Sequence, residues 1–497
     1  MSVTSFITSL KKTMWKDPGA SSDIQRLPQI SWLLFLKVYD IRESDWEFFD
    51  SSYTSIIPDE FRWRNWAVDH KDGKCRTGEE LLQFVNNDLL PGLKNLEITP
   101  NTPQRQAIVK QMFEGATNYM KNGTELRKVI NIIDAINFED YTEQHAFNTI
   151  YEELLKYMQG TKATGEFYTP RAVTDFVVGR VSPKLGEKVA DFACGTGGFL
   201  VSALNYLKEQ QSGAQDIELY NSSIYGAEWK DLPFQLCLTN LLLHNIESPN
   251  LTHGDSLSKN VTDYTENDAV DVVVMNPPYG GSTSEDTLSN FPVAFRTSET
   301  AFLFTVLILY RLREGGRAGI VVSDGFMETN AVSEIAIKEK LLTECNLHTV
   351  IRLPGSVFAP YTDIATNLLF FEKTGKTKET WFYRLDMPKG QKRFSKNKNP
   401  ILLKHFDPVV EWWNNRKEIE DVREYDDAPV TFKAKKISFE ELKENNFSLD
   451  YCGFSNEIEV VLPPDELLAE FHKQKAASDA KIENILAEFE AVLRKSE

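Results

Sequence analysis

From Lys188 to Pro354 the chain repeats one pattern, and that pattern restricts the fold more than any other feature. Short apolar runs of strand length alternate with runs of helix length. KVADFA (188–193) precedes a helical run from about 198, and IYGAE (224–228) precedes DLPFQLCLTNLLLHNI (231–246). LTHGD (251–255) and AVDVVVM (269–275) follow, then TAFLFTVLILYRLREGG (300–316), RAGIVVS (317–323), a helical stretch from about 330 to 345, and LHTVIRLP (347–354). Alternation of this kind builds an α/β fold with a mainly parallel sheet and helices on both faces. Such open sheets bind ligands beyond the carboxyl ends of their strands. NLLFFEK (367–373) reads as a further strand with no helix before it, so it is expected to join from an edge. Residues 374–440 read as polar and irregular.

The flanks are different. Residues 1–150 read as an all-helical domain, since SWLLFLKVYDI (31–41), GEELLQFVNNDLLPGL (78–93) and ELRKVINIIDAI (125–136) carry apolar residues densely or at helical spacing. Residues 151–440 form the α/β domain. Residues 441–497 form a helical C-terminal tail. In the tail Ile482, Ile485, Leu486, Phe489, Val492 and Leu493 recur at three- and four-residue steps, as in a coiled-coil seam, which suits docking on a partner or on the protein's own body.

Cysteine usage points to a reduced, cytosolic setting. Cys75, Cys194, Cys237, Cys345 and Cys452 are scattered and include no C-x-x-C pair, which argues against a structural zinc site and leaves no metal expected. No apolar run is long enough to span a membrane. The formal charge of −18 repels a phosphate backbone at long range. A chain of this charge that acted on nucleic acid would need local positive charge or a partner that supplies it.

Chemistry concentrates at the predicted strand ends. In DFACGTGGFL (191–200), Asp191 closes a strand, and Gly195, Thr196, Gly197 and Gly198 form a turn into a helix. Glycines there permit close approach of a ligand, and helix N-terminal amides can face a polar group. The dinucleotide fingerprint fails because Leu200 stands where its third glycine belongs. Glu228 ends the next strand, where a carboxylate binds ribose hydroxyls in this architecture. The polar insertion 208–223 accounts for its late position. Asp255, in GDS (254–256), ends the third. Asn276, Pro277, Pro278 and Tyr279 end the fourth. Proline cannot donate a ladder bond, so the strand stops there. The Asn276 side-chain carbonyl and the Pro277 backbone carbonyl are two acceptors, suited to an –NH2 group with two protons to give. Tyr279 offers a flat face for a planar base. Asn-Pro-Pro can also be a plain turn, and the acidic strand ends upstream argue for the pocket.

DFACGTGGFL, Glu228, Asp255 and NPPY resemble the motifs of S-adenosylmethionine-dependent amino-methyltransferases. Ahead of them stands GEFYTP, comprising Gly165, Glu166, Phe167, Tyr168, Thr169 and Pro170. In that family this segment binds the methionine end of the cofactor. Physically, Thr169 suits a helix N-cap and Pro170 a first helical position. The motif order is similar to that of the gamma class of DNA adenine methyltransferases. The helical N-terminal domain with LLFLK, then GEFYTP, NPPYGG and the helical tail, resembles the modification subunit of type I restriction–modification systems over nearly the whole chain.

That resemblance implies a Rossmann-like methyltransferase sheet, S-adenosylmethionine as cofactor and double-stranded DNA as substrate. It implies transfer to adenine N6 of a flipped base. It also implies a specificity subunit, with two modification subunits for each, and leaves a restriction subunit open. The roughly 120 residues after Lys373 are few for a target-recognition domain, so sequence reading is expected to lie in another subunit. No Pro-Cys pair is present for cytosine-5 methylation and no phosphate-binding loop for ATP-driven translocation. A protein-glutamine methyltransferase is the alternative, because NPPY also serves amide nitrogens, and a non-catalytic scaffold is another. For DNA contact the candidates are Phe358, as a second stacking face, and the basic stretch with Lys389, Lys392, Arg393, Lys396 and Lys398. The polar loop 281–299 is expected to be mobile without DNA and to close over the flipped base.

Overall fold

The computed structural model describes residues 3–69, 75–136, 168–280, 283–359, 364–395, 398–425, 428–453 and scattered residues between 468 and 482. The chain divides into a unit Met1–Ser455 and a unit Asn456–Glu497. In the second unit the described residues, Ile482 among them, are helical; Ile485, Leu486, Phe489, Val492 and Leu493 lie outside the described residues.

The first unit opens with helices α1 (Val3–Met14) and α2 (Asp23–Phe49). The expected run 31–41 is the middle of α2. Trp32 to Leu36 are all buried, which is why the run is apolar on every side. The next expected helix is present as Gly78–Gln83, a π turn at Phe84–Leu89, and Leu90–Lys94. The widened turn accommodates Pro91, which has no N–H to donate. Helices α3 (Gln104–Glu114) and α4 (Gly123–Asp134) follow.

The α/β part begins with α5 (Arg171–Val181), β1 (Val189–Asp191), α6 (Gly198–Lys208), β2 (Ile224–Glu228), α7 (Asp231–Leu243) and β3 (Asn250–His253). It continues through β4 (Val270–Met275), α8 (Thr300–Arg311), β5 (Leu312–Ser323), α9 (Val332–Glu344) and β6 (Asn346–Arg352). The first five strands run β3-β2-β1-β4-β5, all parallel to their neighbours. β4 is buried at all six positions. Asp271 is tolerated inside it because its Oδ2 accepts the Lys188 backbone N–H at 2.7 Å and Arg313 pairs with it.

Two expectations about the sheet are corrected. NLLFFEK is β7 (Thr366–Glu372), and it does not join at an edge. It runs antiparallel between β5 and β6. Its unbroken apolar run fits burial on both faces. The stretch 374–440 is not irregular. It holds β8 (Glu379–Arg384), α10 (Asp407–Asn414), β9 (Ile419–Tyr425), β10 (Ala428–Ser438) and the start of α11 (Phe439–Glu444). The sheet therefore has ten strands, in the order β3-β2-β1-β4-β5-β7-β6-β8-β10-β9.

β8 is parallel to β6, and β6 and β5 are both antiparallel to β7. The carboxyl ends of β1 to β6 and of β8 thus share one edge of the sheet. No helix among the described residues is long and apolar enough to cross a membrane.

Candidate active site

A cavity of about 550 Å³ opens on that edge, within the size range of small-molecule sites. Tyr168, Thr169, Asp191, Gly195, Thr196, Gly198, Glu228 and Asp255 line it, and so do Asn276, Pro277, Pro278 and Tyr279. Four strand ends, a glycine turn and the segment before α5 are thereby brought to one place. Gly197 and Pro170 lie at helix N-caps rather than on the wall. Gly165, Glu166 and Phe167 lie outside the described residues.

The glycine turn is built for close approach. Gly197 has φ +83°, and a Cβ there would stand 2.8 Å from Cys237 Sγ. Its Cα can sit on α7 only without a side chain. Glu228 is 8% exposed, and each carboxylate oxygen accepts one backbone N–H, from Gly195 at 3.0 Å and Lys230 at 2.9 Å. A carboxylate oxygen can accept more than one hydrogen bond, the chemistry that ribose hydroxyls call for. Asp191 is 1% exposed and accepts the Ala193 N–H. Burial, with the nearby Glu228, pushes its carboxyl up to about 8. Asp255 is exposed and accepts the Leu257 N–H at 2.9 Å.

At the other end Asn276 Nδ2 donates to Thr169 Oγ1 at 3.0 Å. This bond joins two motifs 107 residues apart and revises the expectation for Thr169. The hydroxyl is used by Asn276, and Pro170, with φ −55° and ψ 139°, is the N-cap of α5. The bond also fixes the Asn276 amide. Its Oδ1 is buried and meets no hydrogen-bond donor among the described residues. The turn is held by Thr300, whose hydroxyl donates to Pro278 O at 2.7 Å. Tyr279 is half-buried against the core, and burial holds its phenol well above the usual range.

Trp229, 65% exposed, lines the cavity next to Glu228, with Phe192, Leu232, Pro233 and Leu236 as further apolar wall. Sequence reading passed over these residues. An aromatic directly after an acidic strand end was the available signal for Trp229. Phe358 is corrected: it is 1% exposed in the core and does not line the cavity, so it offers no face to a base.

The basic stretch follows β8 on the same edge. Four strand spacings separate β4 from β8, about 19 Å at the usual distance between neighbouring strands. Lys389, Lys392, Arg393 and Lys398 are exposed, while Phe394 is buried and its N–H donates to Ser356 Oγ at 2.9 Å. Lys396 lies outside the described residues. The loop after NPPY holds a short helix, Glu285–Ser289. It is anchored by buried Phe291 and by Thr297, whose hydroxyl donates to Glu334 at 2.8 Å.

The strand order of the parallel half, the glycine turn, the acidic strand ends and NPPY define an S-adenosylmethionine-dependent methyltransferase. The model of N-6 DNA methylases matches residues 142–460, and the HsdM N-terminal domain matches residues 3–133. The methylase subunit of the type I restriction enzyme EcoEI of Escherichia coli is 44% identical over 96% of this chain and 95% of its own length. The EcoKI methylase subunit of Escherichia coli K12 is 28% identical over 76% and 70%. Among solved structures, a modification subunit of a putative type I restriction enzyme from Vibrio vulnificus YJ016 has a TM-score of 0.78 at 36% identity, over 93% of this chain and 98% of that one. A chain from a structure of type I restriction–modification complex assembly has a TM-score of 0.78 at 32% identity, over 100% and 99%. The chain belongs to the N-6 DNA methylase family, among the methylase subunits of type I restriction enzymes. It is an adenine-specific DNA methyltransferase, and its methyl donor is S-adenosylmethionine.

Proposed function

We propose that the cavity holds S-adenosylmethionine at its Glu228 end and a flipped adenine at its Asn276 end. The observation that carries this reading is the buried Asn276 Oδ1, turned from Thr169 and left without a donor among the described residues. A buried acceptor of this kind requires a donor from outside. Adenine N6 brings two protons, one for Asn276 Oδ1 and one for the Pro277 carbonyl. Accepting both turns the nitrogen lone pair out of conjugation with the ring and toward the cofactor. Tyr279 stacks on the base. Glu228 receives the ribose hydroxyls, and the turn 195–198 receives the polar end of the cofactor. Bound there, the cofactor supplies an electrophilic methyl group. The residues contribute positioning and electrostatics and form no covalent intermediate. Flipping the base costs a few kcal/mol, which DNA contacts offset.

The chain acts within a complex. Its charge of −18 supports a partner that reads the target sequence, in the manner of a specificity subunit with two modification subunits and a restriction subunit in the full system. Residues 1–150 and 441–497 are the docking arms in this reading, and the work takes place in the cytoplasm. The basic stretch with Lys389, Lys392 and Arg393 serves the DNA backbone, and the part of the polar loop ahead of its Phe291 and Thr297 anchors closes over the flipped base.

Tritiated methyl transfer tests the proposal, using the chain alone and with its co-purified partner. Label should enter DNA, appear as N6-methyladenine after digestion, and require the partner. Label in protein glutamine, or none in DNA with the partner present, would refute it.

A further inference from the structure

One part of the cavity wall does not come from the α/β sheet or its helices. Leu27 of α2, in the N-terminal helical region, lines the cavity and is 3% exposed. The chain around it is held firmly. Arg26 Nε donates to Ala20 O at 2.8 Å, Nη2 donates to Ser21 O at 2.6 Å, and the guanidinium pairs with Asp23 at 3.0 Å. Leu27 therefore follows directly on an ordered first turn of α2.

Its position along the cavity follows from helix register. α2 packs along α7. Arg42 of α2 hydrogen-bonds Asn245, just beyond the end of α7. Counting back from that contact, Leu27 on α2 and Asp231 at the start of α7 are reached over nearly equal runs of residues. The Arg42–Asn245 bond at one end and the cavity lining that Leu27 shares with Leu232 and Pro233 at the other fit two helices running in the same direction, which brings Leu27 level with the first turn of α7. Leu232 and Pro233 of that turn line the cavity with it, and Trp229 and Lys230 join the turn to Glu228. Its company with Leu232 and Pro233 points Leu27 to the Glu228 end. The helical region grips the same turns of α7 a second time through α3. Gln235 Nε2 donates to Met112 O at 3.2 Å, and a Cβ on Gly115 would meet the Asp231 side chain at 2.6 Å.

We infer that the N-terminal helical region completes the cofactor site, with Leu27 packing on the adenosine part of S-adenosylmethionine, so that cofactor binding and the seating of α2 on α7 stabilise each other. This rests on the reading of the Glu228 end as the adenosine site. Because coupling between two binding events is reciprocal, displacement of α2 lowers cofactor affinity without any change at Asn276. Leu27 is a positioning residue for the cofactor, remote from the reacting atoms.

Titration calorimetry on the full chain tests the inference, with S-adenosylmethionine and with its demethylated product, S-adenosylhomocysteine. The two ligands share adenosine. Leu27→Ala should weaken both by about tenfold, the scale of lost apolar groups in a ligand pocket, and by the same factor. Leu27→Met should bind like the wild-type protein. Ile130→Val, in the core of α4 and away from the cavity, should lower Tm and leave both affinities within about twofold. Cofactor should also slow hydrogen exchange in α2 of the wild-type protein, a readout that needs no folded variant. Unchanged affinity in Leu27→Ala, or unchanged exchange in α2 while the wild-type protein binds cofactor, would overturn the inference. Failure of the wild-type protein to bind either ligand would instead overturn the cofactor assignment on which it rests.

Discussion

Replacing Thr169 by valine removes one oxygen and keeps the shape of the side chain, and it should slow methyl transfer by about 10- to 100-fold. Thr169 is 9% exposed, and its hydroxyl is the acceptor for Asn276 Nδ2 at 3.0 Å. Without it the amide loses a hydrogen bond contributing about 0.5–1.5 kcal/mol and leaves a buried donor unsatisfied at about 1–3 kcal/mol. The amide then has reason to turn over and present Nδ2 to the cavity. A donor there opposes the amino group it should receive, so only the fraction with Oδ1 inward is competent. Each 1.4 kcal/mol in that balance is a factor of ten in rate, which yields the stated range. Single-turnover transfer at saturating cofactor is the assay, on DNA with the partner present. Thr169→Ser keeps the acceptor and should retain most of the rate. A Thr169→Val rate equal to wild type would refute the argument that this bond sets the orientation of Asn276.

Gly197→Ala should destabilise the protein by about 2 kcal/mol or more, from the left-handed conformation and the 2.8 Å approach to Cys237 Sγ; denaturant unfolding reads it, and wild-type stability would contradict it. Adding Cys237→Ala should recover the steric part of that destabilisation and not the conformational part. Asp191, pushed up to about 8 by burial, is protonated in the free protein near neutrality, whereas the positive charge of the cofactor favours its carboxylate. Binding should therefore release a proton, and affinity should rise between pH 6 and 8, by at most about tenfold per pH unit, then level off; Asp191→Asn should flatten the profile, and affinity falling through that window would contradict the assignment. Neutralising Lys389, Lys392 and Arg393 together should flatten the salt dependence of DNA binding by the assembled complex, by about 0.9 in the log–log slope for each phosphate that is no longer neutralised. Specific and non-specific DNA should weaken alike, and an unchanged slope would put the loop away from the backbone.

The parallel half of the sheet was legible because the ends of β1 to β4 each carried a local mark: the glycine turn, Glu228, Asp255 and NPPY. The antiparallel half was harder to read. An inserted strand such as β7 has no crossover helix to announce it, and only its run of four apolar residues hinted at burial on both faces. β10 was missed because lysines interrupt its strand and its buried residues Ala434 and Ile437 are three apart, on opposite faces, so no two-residue alternation shows. Of the motif residues, Tyr168, Thr169, Asp191, Gly195, Thr196, Gly198, Glu228, Asp255 and Asn276 to Tyr279 line one cavity, but the contacts among them span long stretches of chain. The Thr169–Asn276 bond bridges 107 residues, and local propensity assigned that hydroxyl to a helix cap instead. Phe358 was misread because a phenylalanine beside a strand end carries no mark distinguishing a core ring from a stacking face. Leu27 was invisible for the same reason, since its role arises from the packing of α2 on α7.

In the proposed mechanism Asn276 is the acceptor on which the target amino group depends. Single-turnover methyl transfer by Asn276→Ala, at saturating cofactor and with calorimetry on the same sample, measures this directly. The expected result is a rate lower by about 10²–10³, the usual scale for removing one preorganised polar group at the reacting centre, with cofactor affinity unchanged. Transfer at the wild-type rate would contradict the account, because adenine N6 would then be held by other groups.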